Sequence, residues 1–173
     1  FSTTTHQDMM FFTSRGRVFR LKAYEIPEAS RTAKGQAIVN FLELGPGEKV
    51  TTVLCGDPKK DKAKFIMMVT ARGTIKKTSI DDFENVRRSG LIAIKLNDGD
   101  SLEWVKTTTS KDDVMLVSAN GQSIRFGEDD VRAMGRVAAG VRGIKLKGED
   151  YIVGMEVVTQ DEIKAGHQML IIM

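Results

Sequence analysis

The sequence predicts an all-β protein, a propeller-like array of four-stranded blades, because it carries an internal repeat of about 50 residues. An apolar run breaks three times at a small residue followed by Arg or Asn and then by Gly. These turns fall at Gly16, Gly73 and Gly121, 57 and 48 residues apart. Two further marks follow each turn in the same order, a second glycine and then a glycine followed by an acidic residue. They occur at Gly35, Gly90 and Gly140, and at Gly47, Gly99 and Gly148.

Each repeat reads as four short strands. In the second repeat, residues 65–70 form a continuous apolar run, which is typical of a strand covered on both faces. The turn at Gly73 indicates a hairpin, since glycine accepts a positive φ. Residues 81–89 are polar and basic, so we expect an excursion outside the core. The predicted strands are 9–13, 17–24, 37–42 and 50–54 in the first repeat, 65–70, 75–80, 91–96 and 102–105 in the second, and 114–118, 123–126, 141–146 and 152–158 in the third.

These boundaries predict one domain that consists of blades at about 6–56, 62–110 and 111–160. Residues 1–5 resemble the last strand of an earlier copy, and residues 169–173 resemble the first strand of a later one. We therefore expect partial blades at 1–5 and 167–173. Repeat arrays normally end in capping repeats, and neither end has one, so we expect a fragment of a longer array.

The composition is that of an ordinary soluble domain, with 41% hydrophobic and 28% charged residues among 173. The chain has no apolar stretch of 18 residues and no signal-peptide pattern, so we expect no membrane partner and a cytoplasmic, nucleoid-associated location. The single cysteine, Cys55, suits a reducing compartment.

Positive charge is concentrated in one part of each repeat. The stretches 14–40, 71–96 and 119–147 carry net charges of +4, +3 and +3 and contain all 11 arginines, whereas the remaining residues sum to −7. The planar guanidinium of arginine suits bidentate phosphate contacts. A basic stripe that recurs once per repeat is typical of a nucleic-acid-binding surface.

The pattern favours duplex DNA held by its phosphates over base reading. Only 6% of residues are aromatic, too few for a single-strand stacking platform. Phosphate contacts position nucleic acid without reading its sequence. The candidate DNA-binding residues are Arg15, Arg17, Arg20, Lys22, Arg31, Lys34, Arg72, Lys76, Lys77, Arg87, Arg88, Arg125, Arg132, Arg136, Arg142 and Lys145.

The sequence shows no catalytic or metal-binding set. His6 and His167 have no Cys, Asp or Glu at ligand spacing. The acidic pairs Asp81-Asp82, Asp112-Asp113 and Asp129-Asp130 fall near turns, which favours turn formation over chemistry. A propeller-type protein-interaction scaffold remains an alternative to a DNA binder, because such blades have a similar period.

Two stretches resemble a known family. The string Phe11-Phe12-Thr13-Ser14-Arg15-Gly16-Arg17-Val18, together with residues 22–35, is similar to the second blade of the C-terminal domain of bacterial DNA gyrase A. Residues 134–144 resemble a later blade of that domain. The 24–34 string favours gyrase over its relative topoisomerase IV, which stays the alternative within the same class. The basic, glycine-rich box that the family carries in its first blade is absent from this sequence.

The resemblance implies a β-pinwheel whose basic rim wraps duplex DNA largely without regard to sequence, which enables ATP-dependent negative supercoiling by the holoenzyme. It implies two partners in a heterotetramer, the remainder of gyrase A and gyrase B. It also implies that the ATP and Mg²⁺ used by the holoenzyme bind elsewhere, so that this chain holds no cofactor and no catalytic residue.

Overall fold

The computed structural model describes residues 3–30, 32–56 and 62–166. The strands within these residues are β1 (Asp8–Thr13), β2 (Arg17–Lys22), β3 (Val50–Cys55), β4 (Phe65–Thr70), β5 (Thr74–Ser79), β6 (Leu91–Ile92), β7 (Leu102–Thr108), β8 (Asp113–Ser118), β9 (Ser123–Gly127), β10 (Val141–Arg142) and β11 (Ile152–Val158). Short 3₁₀ helices lie at Ala23–Glu25, Ile38–Asn40, Ile80–Phe83 and Glu128–Asp130, and one α-helix, α1, spans Gln160–Lys164. Among these elements no helix is long and apolar enough to cross a membrane.

The strands form three antiparallel sheets, one for each repeat. Their strand orders are β3-β1-β2-β6, β10-β5-β4-β7 and β11-β8-β9. In each sheet the first two strands of the repeat form the hairpin. The hairpin glycines Gly16, Gly73 and Gly121 have φ values of 71°, 80° and 80°, as the turn pattern predicts. The fourth strand of each repeat pairs with the first strand of the same repeat.

The third segment of a repeat leaves its own sheet. β6 belongs to the second repeat but pairs with β2 of the first, and β10 of the third repeat pairs with β5 of the second. The sequence predicts strands at 91–96 and 141–146, but each pairs over only two residues. The strand predicted at 37–42 is wrong, because Ile38–Asn40 is a 3₁₀ helix. β6 and β10 thus each form at an edge that the return strand of the preceding repeat offers.

The core lies between the sheets. Alternate residues of β4 point to opposite sides, so Ile66 and Met68 pack toward the first sheet while Met67 and Val69 pack toward the third. All four are fully buried. This confirms the expectation that 65–70 is covered on both faces. A third cluster around Phe11 and other buried side chains covers the far face of the first sheet, and it also contains Met9, Phe19, Leu21 and Leu42.

The polar excursion 81–89 also contributes to the core, contrary to expectation. Phe83 ends a 3₁₀ helix and is 2% exposed, with its ring edge-on to Phe12 at 6.1 Å between centroids. Phe83, together with Val86, which packs against the same core cluster, therefore anchors a mostly exposed segment. β7 contacts both β3 and β11, so β3, β7 and β11 together form an inner edge of the array. The opposite side carries β6, β10 and the excursions, and we call it the outer edge. The partial blade predicted at 167–173 lies outside the described residues.

Candidate nucleic-acid interface

Two turn arginines are held in equivalent positions. Arg15 donates a hydrogen bond to the carbonyl of Pro46, and Arg72 donates to the carbonyl of Asp98 at 3.2 Å. Pro46 and Asp98 each come directly before the glycine that is followed by an acidic residue, which is Gly47 in the first repeat and Gly99 in the second. Both arginines are exposed. The hairpin and the following turn therefore fix each guanidinium from one side while the other side faces solvent. In the third repeat this position is Asn120.

A cleft of 720 Å³ lies between the second hairpin and the segment that the third repeat inserts beside it. Arg72 comes from the hairpin, whereas Arg142 and Lys145 come from β10 and the residues after it. All three are exposed. We call Arg72, Arg142 and Lys145 the turn-end cluster. Strand exchange brings it together, because Arg142 pairs across from Thr74, two residues beyond Arg72.

The turn-end cluster has an aromatic neighbour that the sequence did not single out. Tyr151 lines the same cleft and is 54% exposed. Glu149 also lines it, and Asp150 is buried there with its carboxylate accepting from the backbone N–H groups of Asn120 and Tyr151. Three cations thus share the cleft with one exposed carboxylate and one carboxylate that accepts from backbone donors.

Several predicted cations in the loops lie at the surface. Arg87, Arg88, Arg132 and Lys34 are exposed, and Arg136 is partly buried. The Arg88 side chain is 79% exposed, and its 3.6 Å contact with Glu25 is an exposed ion pair that contributes little to stability. Arg31 lies outside the described residues.

Arg17 forms an ion pair with a buried carboxylate. Its Nε donates to Glu48 Oε1 at 2.9 Å, and its guanidinium also donates to the Glu43 carbonyl at 2.9 Å. Glu48 is 7% exposed and additionally accepts from the Thr13 hydroxyl at 2.6 Å. Burial alone would raise the pKa of Glu48, but the hydrogen bonds from Arg17, Thr13 and the Gly45 N–H lower it to about 2. Arg17 therefore fastens its own repeat together.

Three other candidates are also engaged with carboxylates. Arg20 and Lys22 each lie 2.9 Å from a different oxygen of Asp8, and Arg125 lies 2.7 Å from Asp113. Arg20 also donates to the carbonyl of Glu84 in the next repeat. The charge of all three is balanced locally, which reduces what they can offer to a phosphate.

The structure contradicts the assignment of Lys76 to an exposed basic track. Lys76 is 0% exposed and its ammonium donates to the carbonyl of Ala93, at 2.7 Å, and to that of Arg136. The two carbonyls belong to different repeats, so the amine joins them to β5. Burial lowers the pKa of Lys76 to about 8; the nearby Asp82 opposes that shift and Arg136 adds to it.

Lys77 is also misassigned by the sequence pattern. It is 5% exposed and donates to the carbonyl of Glu128 in the third repeat at 2.7 Å. Its ammonium lies 5.0 Å from the centre of the Phe65 ring and 3.9 Å from the exposed carboxylate of Asp129. Both lysines of β5 therefore hold repeats together and are not available to a surface ligand.

Fold and charge together define a propeller-like repeat domain with basic side chains at its outer edge. The chain belongs to the family described as "DNA gyrase C-terminal domain, beta-propeller", whose model matches residues 7–57, 64–109 and 112–159. This confirms the resemblance seen in the sequence and the all-β, propeller-like fold.

The chain is similar over most of its length to curated DNA gyrase A proteins. It is 50% identical over 153 residues to that of Klebsiella oxytoca, covering 87% of this chain and 17% of the relative. It is 42% identical over 163 residues to that of Mycolicibacterium smegmatis, covering 93% and 19%. The chain thus spans less than a fifth of the length of these relatives.

Solved structures agree with the fold. A crystal structure of the C-terminal domain of DNA topoisomerase IV matches with a TM-score of 0.82 and 28% identity, over 92% of this chain and 50% of that one. A structure of the DNA gyrase A C-terminal domain matches with a TM-score of 0.71 and 28% identity, over 88% and 48%. Sequence identity to the two gyrase A relatives is higher than to either structure.

Proposed function

We propose that this chain binds duplex DNA through its phosphates, largely independently of sequence, and bends it around the outer edge of the sheets. The observation that carries this proposal is the turn-end cluster, where three exposed cations from two repeats meet in one cleft. Guanidinium groups suit phosphate oxygens, and none of the three side chains has a carboxylate ion pair among the described residues.

The exposed cations of the excursions would extend this contact. Arg87 and Arg88 precede β6, and Arg132 and Arg136 precede β10. Strand exchange therefore places a basic loop beside the return strand of each preceding sheet. A surface that repeats in this way can follow the phosphate backbone of a DNA duplex over several base-pair steps. Bending 20–30 base pairs through 40–90° costs on the order of 1–6 kcal/mol, which several blades can offset together.

We propose further that the chain acts as the C-terminal part of a DNA gyrase A protein. In that role it would wrap DNA for ATP-dependent negative supercoiling, with the rest of gyrase A and gyrase B as partners in a cytoplasmic heterotetramer. Identity of 42–50% to curated gyrase A proteins supports this assignment. ATP, Mg²⁺ and the cleavage chemistry would then belong to other parts of the enzyme, and this chain would contribute binding and curvature.

The test is an equilibrium titration of unrelated duplexes, each about 40 base pairs long, at several salt concentrations. If 6–10 phosphates are neutralised, affinity falls about 10³–10⁵-fold between 50 and 200 mM salt. The triple variant Arg72→Gln, Arg142→Gln, Lys145→Gln should bind all duplexes more weakly. It should also flatten the slope of log affinity against log salt by about 2–3.

The matched control is Lys64→Gln, Lys111→Gln, Lys164→Gln, which removes the same charge from exposed lysines outside the turn-end cluster. This control should retain most of the affinity, because its cations lie outside the proposed surface. Equal losses in the two triple variants would show that only net charge matters. A strong preference for one duplex sequence would contradict phosphate-based binding.

A further inference from the structure

The two junctions between the described repeats share one backbone arrangement. In each, the carbonyl of the hairpin glycine accepts from two consecutive N–H groups of the following repeat. The donors are Ala93 and Ile94 at Gly16, at 2.8 and 3.2 Å, and Gly143 and Ile144 at Gly73, at 2.9 and 3.4 Å. Residues 91–102 of the second repeat therefore correspond one to one to residues 141–152 of the third, and the side chains of the two junctions can be compared position by position.

The second junction presents one more cation than the first. Both carry an exposed arginine at the hairpin turn and an exposed lysine on the segment that the following repeat inserts. These are Arg15 and Lys95 at the first junction, and Arg72 and Lys145 at the second. The second junction adds the exposed Arg142, whose counterpart at the first is Ile92. The turn-end cluster is therefore the more basic of two equivalent sites.

The junctions also differ in a hydroxyl group. Ser101, at the first junction, donates from its hydroxyl to the Glu103 carboxylate at 2.6 Å. Its counterpart at the second junction is Tyr151, and Val153 takes the place of Glu103. Tyr151 is 54% exposed and lines the cleft of the turn-end cluster. Its phenolic hydroxyl has no hydrogen-bond partner among the described residues, so it is free to bind a ligand in the cleft.

The backbone of Tyr151 is fixed relative to the second hairpin. Its N–H donates to the Asp150 carboxylate at 2.9 Å, and its carbonyl accepts from Ala119 at 2.9 Å. The next residue, Ile152, is buried and donates to the carbonyl of Ala71, directly before Arg72, at 2.8 Å. The tyrosine and the turn arginine are thus held on neighbouring, mutually bonded segments of backbone.

A following repeat does not bury this position. Ser101 remains partly exposed although the third repeat follows it in the structure. The cleft that Tyr151 lines lies between the second and third repeats, both of which are described. The exposure of Tyr151 is therefore a property of the junction itself.

We propose that the Tyr151 hydroxyl donates a hydrogen bond to the DNA phosphate that the turn-end cluster holds, as a neutral fourth donor in that cleft. This inference rests on the proposed function. A phenolic hydroxyl can donate a hydrogen bond and is uncharged near pH 7. Tyrosine is also among the side chains that contact phosphate oxygens in protein–DNA complexes.

A neutral donor has a signature that separates it from the cations. Each cation that neutralises a phosphate releases counterions and steepens the dependence of affinity on salt. A hydroxyl adds a hydrogen bond and releases none. Loss of the Tyr151 hydroxyl should therefore weaken binding by a similar factor at every salt concentration, whereas loss of a cation changes the slope.

The test is Tyr151→Phe, which removes the hydroxyl and keeps the ring. In titrations of a duplex of about 40 base pairs at several salt concentrations, this variant should bind about tenfold more weakly with an unchanged salt slope. The matched control is Tyr24→Phe, since Tyr24 is 60% exposed and does not line the cleft. It should bind like the unmodified chain. Urea denaturation should show equal stability for all three proteins.

A double-mutant cycle tests whether the hydroxyl and the cations hold the same phosphate. Groups that share a partner have non-additive effects. Tyr151→Phe should therefore cost less than about threefold when it is added to the triple variant Arg72→Gln, Arg142→Gln, Lys145→Gln. A full tenfold loss in that background would place the hydroxyl at another contact and overturn the proposal.

The outcomes distinguish this inference from the function on which it rests. If the triple variant bound weakly but Tyr151→Phe bound like the unmodified chain, the hydroxyl proposal would be wrong and phosphate binding would stand. If Tyr151→Phe flattened the salt slope, the ring would act by positioning the cations, which also contradicts a donor role. If the triple variant itself kept full affinity and the full salt slope, the proposed phosphate site would fail, and the role of Tyr151 with it.

Discussion

The turn end and the return strand of the second hairpin carry cations only a few residues apart, yet these cations have opposite surroundings. Arg72 at the turn is exposed and fixed by a single carbonyl. Lys76 and Lys77 on β5 are buried and donate to carbonyls of other segments and repeats. Position along the hairpin therefore decides whether a basic residue faces solvent or holds neighbouring repeats together.

The largest expected effect is on stability at Lys77. Lys77→Ala removes a buried side chain and one of the two donors to the Glu128 carbonyl, which would keep only the Val131 N–H. This should lower the free energy of unfolding by about 3–5 kcal/mol. Urea denaturation measures this loss. Lys147→Ala, at an exposed lysine, is the control and should change stability by less than about 0.5 kcal/mol. An equally small effect at Lys77 would contradict its structural role.

A second effect concerns pH at Lys76. Its pKa of about 8 lies below the unfolded value of 10.5, so between these values the unfolded state binds more protons. This residue's contribution to stability should therefore rise as pH increases from 8 to 10.5, by up to about 3 kcal/mol. Asp82 and Arg136 are the charged groups that influence it.

The measurement is the difference in unfolding free energy between the unmodified chain and Lys76→Met at a series of pH values. Other groups titrate equally in both proteins, so their contributions cancel. The difference should shift in favour of the unmodified chain as the solution becomes more alkaline. A flat difference would mean that the Lys76 ammonium keeps an ordinary pKa.

The repeat and its hairpins could be read from the sequence because turn glycines and apolar runs are local signals. Strand exchange could not, because pairing of β6 with β2 depends on contacts between residues more than 70 positions apart. The burial of Lys76, in contrast, did have a signal in the sequence. When the repeats are aligned on the hairpin glycine, Lys76 falls at the position of Phe19 and Ile124, two apolar residues.

The candidate site was predicted only in part, because arginine enrichment is also a local signal. Arginine enrichment identified the basic part of each repeat, including all three members of the turn-end cluster. It could not separate Arg17, which pairs with a carboxylate 31 residues away, from Arg15, which stays exposed. Nor could it single out Tyr151, because the cleft that Tyr151 lines forms only when two repeats meet.

The smallest of the three stability effects is expected at the Arg17–Glu48 pair, the return-strand counterpart of the exposed Arg15. The pKa of Glu48 is lowered to about 2 from an ordinary value of 4.5, so the pair stabilises the fold above pH 4.5 and is lost as pH falls toward 2. With allowance for the partial exposure of Arg17, Glu48→Gln should cost about 2 kcal/mol at pH 7 and progressively less below pH 4.5. Thermal unfolding at pH values of about 3, 5 and 7 measures this.

The control is Glu43→Gln, at an exposed carboxylate, which should show no such pH dependence. If Glu48→Gln lost as much stability in acid as at neutral pH, the carboxylate charge would not be what holds Arg17. The difference between Arg17 on the return strand and the exposed Arg15 at the turn would then rest on packing alone.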